Sequence, residues 1–297
     1  MRGMQSVRYS RWTSLWAALL FLNASVTGAL EASKVDAKQA RWVSLAPSLT
    51  EVIFALNAEG RLVGRSNYCN YPEEALAVPS VGRMDLPNLE AIVALKPDLV
   101  VMTDLTPLDT MTRLEGLGLE VLRLRADRLE DIAETYRRLG GRLGLEAEAE
   151  RIVSEIYGAL AGLTAKGAAF GGEAPRACLL YGVTAPFFSA GKGTFPSALL
   201  ERAGFTNIAD AAPLAWPQLN LEWLIQQNPE VIFVAGGSDV GSAAAVLAHW
   251  QSSEVWRQVT AIQRNQVYCI RDDALSIPGM RTLEALRVIS AARAKFP

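Results

Sequence analysis

The chain has 297 residues, half of them apolar, with 29 lysines and arginines against 31 aspartates and glutamates and a single histidine. A balance that even, with no basic cluster, excludes a surface built to neutralise nucleic-acid phosphates. One histidine and three cysteines without a CxxC pair exclude a structural zinc site, and the length suits two domains, each large enough to bury a core.

In chain order, the first segment reads as an address. Arg2, Arg8 and Arg11 precede an apolar run from Trp12 to Leu22, and small residues follow through Gly28 and Ala32. That is the order of a secretory signal, with cleavage expected after Gly28, or else after Ala32. The apolar run falls short of the roughly 20 residues that span a bilayer. Removing 1–28 makes the remaining chain more acidic and places it in an exported compartment.

WVSLA then predicts a strand and SLTEVIFAL a helix, with Ser48 and Glu51 expected to form a capping box. LVGRS, LVVMT and EVLRL predict further strands with helices between them, the alternation of a parallel α/β sheet. Residues 146–166 predict one long helix free of proline, ended by a Gly/Ala-rich break. RACLLYGV opens a second α/β region, and an amphipathic helix closes it after Pro278. Cys178 and Cys269 fall in apolar strand runs and predict buried thiols, whereas Cys69 in the polar loop SNYCNYP predicts an exposed one.

The two halves repeat one another. Residues 88–100 read NLEAIVALKPDLV and residues 220–232 read NLEWLIQQNPEVI. In each copy an asparagine can cap a helix whose first turn carries Glu90 or Glu222, the helix ends before a proline, and an apolar strand follows. An acid at a helix N-terminus is favoured by the dipole alone. Two in matching places on two lobes point to a shared task.

Catalytic patterns are poorly supported. GKGT at 191–194 lacks a phosphate loop's leading glycine, since Pro186 stands there, and Gly193 stands where a magnesium-binding Ser or Thr belongs. His249, in AVLAHWQ, reads as a helix-surface residue, and no GxSxG occurs. Asp272 and Asp273, if on an extended strand, would point to opposite faces and make a poor acid/base pair.

The runs RWVSLAPSLTEVIFALNAEGRLVGRSNYCNYPEEA, VGRMDLPNLEAIVALKPDLVV, PFFSAGKGT, AWPQLNLEWL and IPGMRTLEAL together resemble the periplasmic binding proteins for cobalamin and ferric siderophores, with the cobalamin receptors the closest likeness. The resemblance runs from about Arg41 to the C-terminus. It implies a class III architecture: two Rossmann-like α/β lobes, over 41–144 and 173–297, joined by one long helix within 145–168. It also implies a monomer that needs no cofactor and catalyses no reaction, clasps a metal chelate between its lobes with little hinge motion, and delivers it to an inner-membrane ABC importer.

Carried over by position, the ligand-facing residues implied are Tyr68, Phe187, Trp216 and Asp273, flat rings suiting a large flat macrocycle. Two positions depart from the family: Met84 stands where the cobalamin receptors carry a second cleft tryptophan, and Ile277 where they carry an arginine. A ferric siderophore would draw on Arg65, Arg83, Lys192 and Arg281, and haem on an axial Tyr68, Tyr71 or Met84. Glu90 and Glu222 are implied as the contacts for arginines on the importer. An exported chelate-processing enzyme or a surface-interaction module on the same scaffold is the reading from another class.

Overall fold

The computed structural model describes residues 40–125, 128–169, 172–236 and 241–296; the expected signal segment lies outside them. The first lobe contains strands β1 (Trp42–Ser44), β2 (Leu62–Arg65), β3 (Leu99–Thr103) and β4 (Val121–Leu124) and helices α1 (Pro47–Ala55), α2 (Leu89–Ala94), α3 (Leu108–Gly116) and α4 (Leu129–Leu143). Its four strands pair in parallel in the order β2-β1-β3-β4. Helix α5 (Glu146–Ala169) follows, reaching slightly beyond the 146–166 expected from its sequence.

The second lobe contains β5 (Arg176–Tyr181), β6 (Phe187–Phe188), β7 (Thr206–Asn207), β8 (Gln218–Leu219), β9 (Val231–Gly236) and β10 (Val267–Arg271). Its helices are α6 (Phe195–Arg202), α7 (Leu221–Gln227), α8 (Ala243–Gln251), α9 (Thr260–Gln263), α10 (Asp272–Ser276) and α11 (Thr282–Arg293). The sheet runs β10-β9-β5-β6-β8, parallel across β10, β9 and β5 and antiparallel across β6 and β8, with β7 added beside β5.

Alternation along the strands explains how helices cover both faces of each sheet. In β3, Leu99 and Val101 join one core cluster while Val100 and Met102 join another. In β9, Phe233 and Ala235 face the first cluster while Ile232 and Val234 face a third. A strand buried on both sides reads as a continuous apolar run, which is why LVVM and VIFVA are so hydrophobic.

The first cluster does not stop at the lobe boundary. It continues from Val52 and Tyr136 through Ile152, Ile156 and Leu160 of α5 to Leu179, Phe233 and Leu286. Helix α5 buries residues at helical spacing, packing on α4 at one end and on α11 and α6 at the other. Each of its fully buried aliphatic side chains stabilises this joint by about 1.5–3 kcal/mol. At 1.5 Å per residue the helix is about 36 Å long, enough to bridge both lobes. Its last turn also needs a glycine, because a Cβ on Gly167 would lie 2.8 Å from the Ala203 carbonyl carbon. Among the described residues no helix is long and apolar enough to cross a membrane.

Three local expectations are corrected by tertiary packing. The capping box at Ser48 and Glu51 does not form: Ala46 is the N-cap of α1, Pro47 starts the helix, and Glu51 is buried against the other lobe. Cys69 is fully buried, its sulfur 3.2 Å from the Ser66 hydroxyl, although the residues around it are polar. Asp272 and Asp273 are the first two residues of α10 and not part of an extended strand. Cys178 and Cys269 remain free thiols on strands separated by β9, and His249 is exposed on α8 as expected.

Candidate functional site: the seam between the sheets

In open parallel sheets, ligands collect outside the carboxyl ends of the strands. Several polar and aromatic side chains stand at or just past those ends. The loop after β2 carries Tyr68 and Tyr71, α1 after β1 carries Glu51, β5 ends on Tyr181, and β10 ends on Arg271 just before Asp272 and Asp273.

The lobes are bonded directly at this seam. Arg281 Nε donates to Glu51 Oε2 at 3.0 Å and its Nη2 to Glu51 Oε1, while its Nη1 pairs with Asp273. Asp273 also accepts from Arg271, at 3.2 Å from Nε and 2.7 Å from Nη2. The Tyr71 ring, from the first lobe, lies 4.2 Å from the Arg281 guanidinium and 5.9 Å from that of Arg271. Burial pushes the Glu51 carboxyl up to about 7, against the opposing pull of Arg281 and, more weakly, Arg271. Burial also raises the Tyr136 hydroxyl, with the nearby Glu51 charge adding to it. Beside this network a cavity of about 690 Å³ opens between α1, the Tyr71 loop, α5 and α11, lined by Phe54, Glu155, Met280 and Arg287 among others.

The site residues expected from sequence fall into three groups. Tyr68 and Trp216 are free aromatic surfaces, 42% and 52% exposed. The Trp216 ring packs at 5.9 Å and a tilt of 57° on Tyr181, so one edge is held while the rest faces solvent. Met84 is half-buried in the loop before α2.

Phe187 belongs to the second group and is a correction. It is 2% exposed and packs edge-on to Trp256 at 5.6 Å, inside the second lobe's own core. Its neighbour Phe188 is 54% exposed. Successive residues of a strand point to opposite faces, so the dipeptide offers Phe188 as its free ring. Asp273 is likewise absorbed, by Arg271 and Arg281, leaving Asp272 as the exposed acid.

The candidate cations form the third group, and most are engaged. Arg65 is buried and donates to the carbonyls of Ala75 and Ser66. Arg83 binds Asp85 through two nitrogens, at 2.9 and 2.6 Å, and Asp85 with its neighbour Tyr68 raises the guanidinium above its ordinary value. Arg281 is held by Glu51 and Asp273. Lys192 is exposed, and no carboxylate among the described residues pairs with it. Among the described residues there is no cluster of three metal-ligating side chains.

Away from the seam, the repeated motif folds alike in both lobes. Asn88 accepts from the Ala91 amide at 3.0 Å and Asn220 from the Trp223 amide at 2.8 Å, so each caps its helix through the side chain. Glu90 and Glu222 stand exposed in the first turns of α2 and α7. Glu90 also lines an apolar groove of about 640 Å³ with Leu89, Val93, Ala94 and Leu117.

Comparison with known proteins agrees with this architecture. The chain is 31% identical over 211 residues to a vitamin B12-binding protein of Salmonella choleraesuis, covering 71% of this chain and 77% of that one. A periplasmic vitamin B12-binding protein of Vibrio cholerae superimposes with a TM-score of 0.73 at 25% identity, over 87% of this chain and 98% of its own. A periplasmic heme-binding protein of Pseudomonas aeruginosa superimposes with a TM-score of 0.72 at 27% identity, over 85% and 91%. Residues 43–274 match the family described as periplasmic binding protein, and the chain belongs to that family.

Proposed function

We propose that this protein captures a corrinoid, cobalamin foremost, at the seam between its lobes in the periplasm and hands it to an ABC importer in the inner membrane. The observation that carries the reading is the pair of half-exposed aromatic surfaces, Trp216 and Tyr68, together with candidate arginines that are already engaged, Arg83 and Arg281 by carboxylates and Arg65 by backbone carbonyls. Flat rings suit a macrocycle. Engaged arginines offer little to an anionic siderophore, and of the four candidate cations Lys192 is the one without a partner among the described residues. Phe188, Met84 and Asp272 extend the proposed surface. The relatives named for vitamin B12 support the ligand class.

Glu90 and Glu222 supply the proposed importer contacts, one per lobe, at equivalent corners of equivalent helices. Exposed acids of this kind steer docking, and each can accept a charge-assisted bond from an arginine. Haem is the second reading, favoured by the heme-binding relative and by Tyr68, Tyr71 and Met84 as axial donors. Titrating the purified protein with cyanocobalamin, and separately with hemin, while following absorption and tryptophan fluorescence decides between them. Saturation by cyanocobalamin at micromolar concentration is expected, and saturation by hemin alone would overturn the first reading.

A further inference from the structure

One buried guanidinium in the first lobe is held by backbone carbonyls. Arg65, the last residue of β2, donates from Nε to the Ala75 carbonyl at 2.8 Å and from Nη1 to the Ser66 carbonyl at 2.9 Å. No carboxylate among the described residues pairs with it. A buried cation without a counter-charge is costly to keep. What offsets that cost is a pair of charge-assisted bonds.

Those two carbonyls are the ends of a single loop. Residues 66–75 leave β2 at Ser66 and come back to Arg65 at Ala75, and between these ends stand Tyr68 and Tyr71. The Ser66 carbonyl also accepts from the Cys69 amide at 3.1 Å, and the Asn67 amide donates to the Gly82 carbonyl at 2.8 Å. Cys69 is fully buried, its sulfur 3.2 Å from Ser66 Oγ and 3.9 Å from the Ser44 carbonyl. Tyr68 is therefore flanked on both sides by residues tied to the backbone, while its own ring is half-exposed. Further along the loop, the Tyr71 ring lies 4.2 Å from the Arg281 guanidinium.

We propose that Arg65 is a positioning residue for the ligand surface: by joining the two ends of the 66–75 loop it fixes the Tyr68 ring in the orientation that meets the ligand. The proposal rests on the reading of Tyr68 as a ligand-facing ring and deepens it, assigning Arg65 to the loop and not to an anionic siderophore. A ring already held when the ligand arrives loses little freedom on binding, whereas a loose one must be ordered then.

A double-mutant cycle tests this. The wild type, Arg65→Met, Tyr68→Ala and the double variant are titrated by tryptophan fluorescence with cyanocobalamin and, in parallel, with hemin. Arg65→Met should weaken binding about tenfold, the cost of ordering one freed side chain. In the Tyr68→Ala background it should weaken binding no further. Arg65→Lys, which keeps the charge but loses the fork, goes through the same cycle and keeps the test decisive if Arg65→Met does not fold. Its loss should be smaller and should likewise vanish without the Tyr68 ring. Equal losses with and without that ring would show a merely structural role and overturn the proposal, as would wild-type affinity in every folded Arg65 variant. If Tyr68→Ala alone binds like the wild type, the ring does not face the ligand and the proposal falls with it. Binding of hemin alone overturns the corrinoid reading, and the cycle is then read with hemin. A wild type that binds neither overturns both.

Discussion

Glu51 and Arg281 lie 230 positions apart in the chain and meet as a buried, doubly bonded ion pair across the two lobes. Glu51 belongs to the helix after the first strand of the first lobe, and Arg281 stands immediately before the last helix of the second. The pair, with Asp273 and the Tyr71 ring, joins the lobes through polar contacts, and the core around α5 joins them through apolar ones.

Breaking that pair from one side should cost more than removing it. Arg281→Met strands a buried carboxylate and is expected to destabilise the protein by about 3–5 kcal/mol at pH 8. The double change Glu51→Gln with Arg281→Met should recover much of the loss. Urea unfolding of the four proteins measures the cycle, and a double-variant loss equal to the sum of the two single losses would show the pair to be uncoupled.

The pair also predicts a pH dependence of unusual sign. The folded state holds the Glu51 proton up to about pH 7, above the ordinary 4.5 of the carboxyl. Between those values the folded chain binds more protons than the unfolded one, so this contribution is fully present below about pH 4.5 and lost as pH rises through 7. Relative to Glu51→Gln, the wild type should lose on the order of 3 kcal/mol of stability between pH 4.5 and 8. A flat difference between the two across that range would place Glu51 with ordinary carboxylates.

Trp216→Ala is expected to weaken corrinoid binding by about 1–3 kcal/mol and leave the melting temperature of the free protein nearly unchanged. Phe187→Ala should do the reverse, costing about 3–5 kcal/mol of stability through the cavity it leaves. Phe188→Ala should spare stability. If Phe187→Ala weakened binding in a protein of normal stability, its ring would have to leave the core and reach the ligand.

Changing Glu90 and Glu222 together to Lys should abolish importer-dependent uptake, with a partial defect for each single change, while ligand affinity and unfolding stay at wild-type values. Reconstituted transport at the normal rate would leave both residues as acids favoured by their helix dipoles.

The thiols give a simple check on the interior. Burial pushes the Cys178 thiol up to about 12 and raises Cys69 as well, while Cys269 is raised but only half-buried. A disulfide-exchange reagent at pH 8 should label Cys269 first and the other two only on unfolding. Rapid labelling of Cys69 in the native protein would contradict its place beneath the Tyr68 loop.

The sequence by itself marked the main parallel strands, the long helix and the twin asparagine-capped motifs, because hydrophobic period, proline and capping side chains act within a few residues of one another. The family resemblance marked Tyr68 and Trp216, and both rings are half-exposed. Only tertiary structure decided which member of a neighbouring pair does what. Phe187 or Phe188 and Asp272 or Asp273 differ by a single step along the backbone, and the choice depends on which side the rest of the fold presents. Glu51 reads locally as a capping acid, and Cys69 as an exposed thiol. Their partners come from distant segments, Arg281 in one case and the packed underside of a polar loop in the other, and nothing in a local window of residues specifies a contact made across 230 positions.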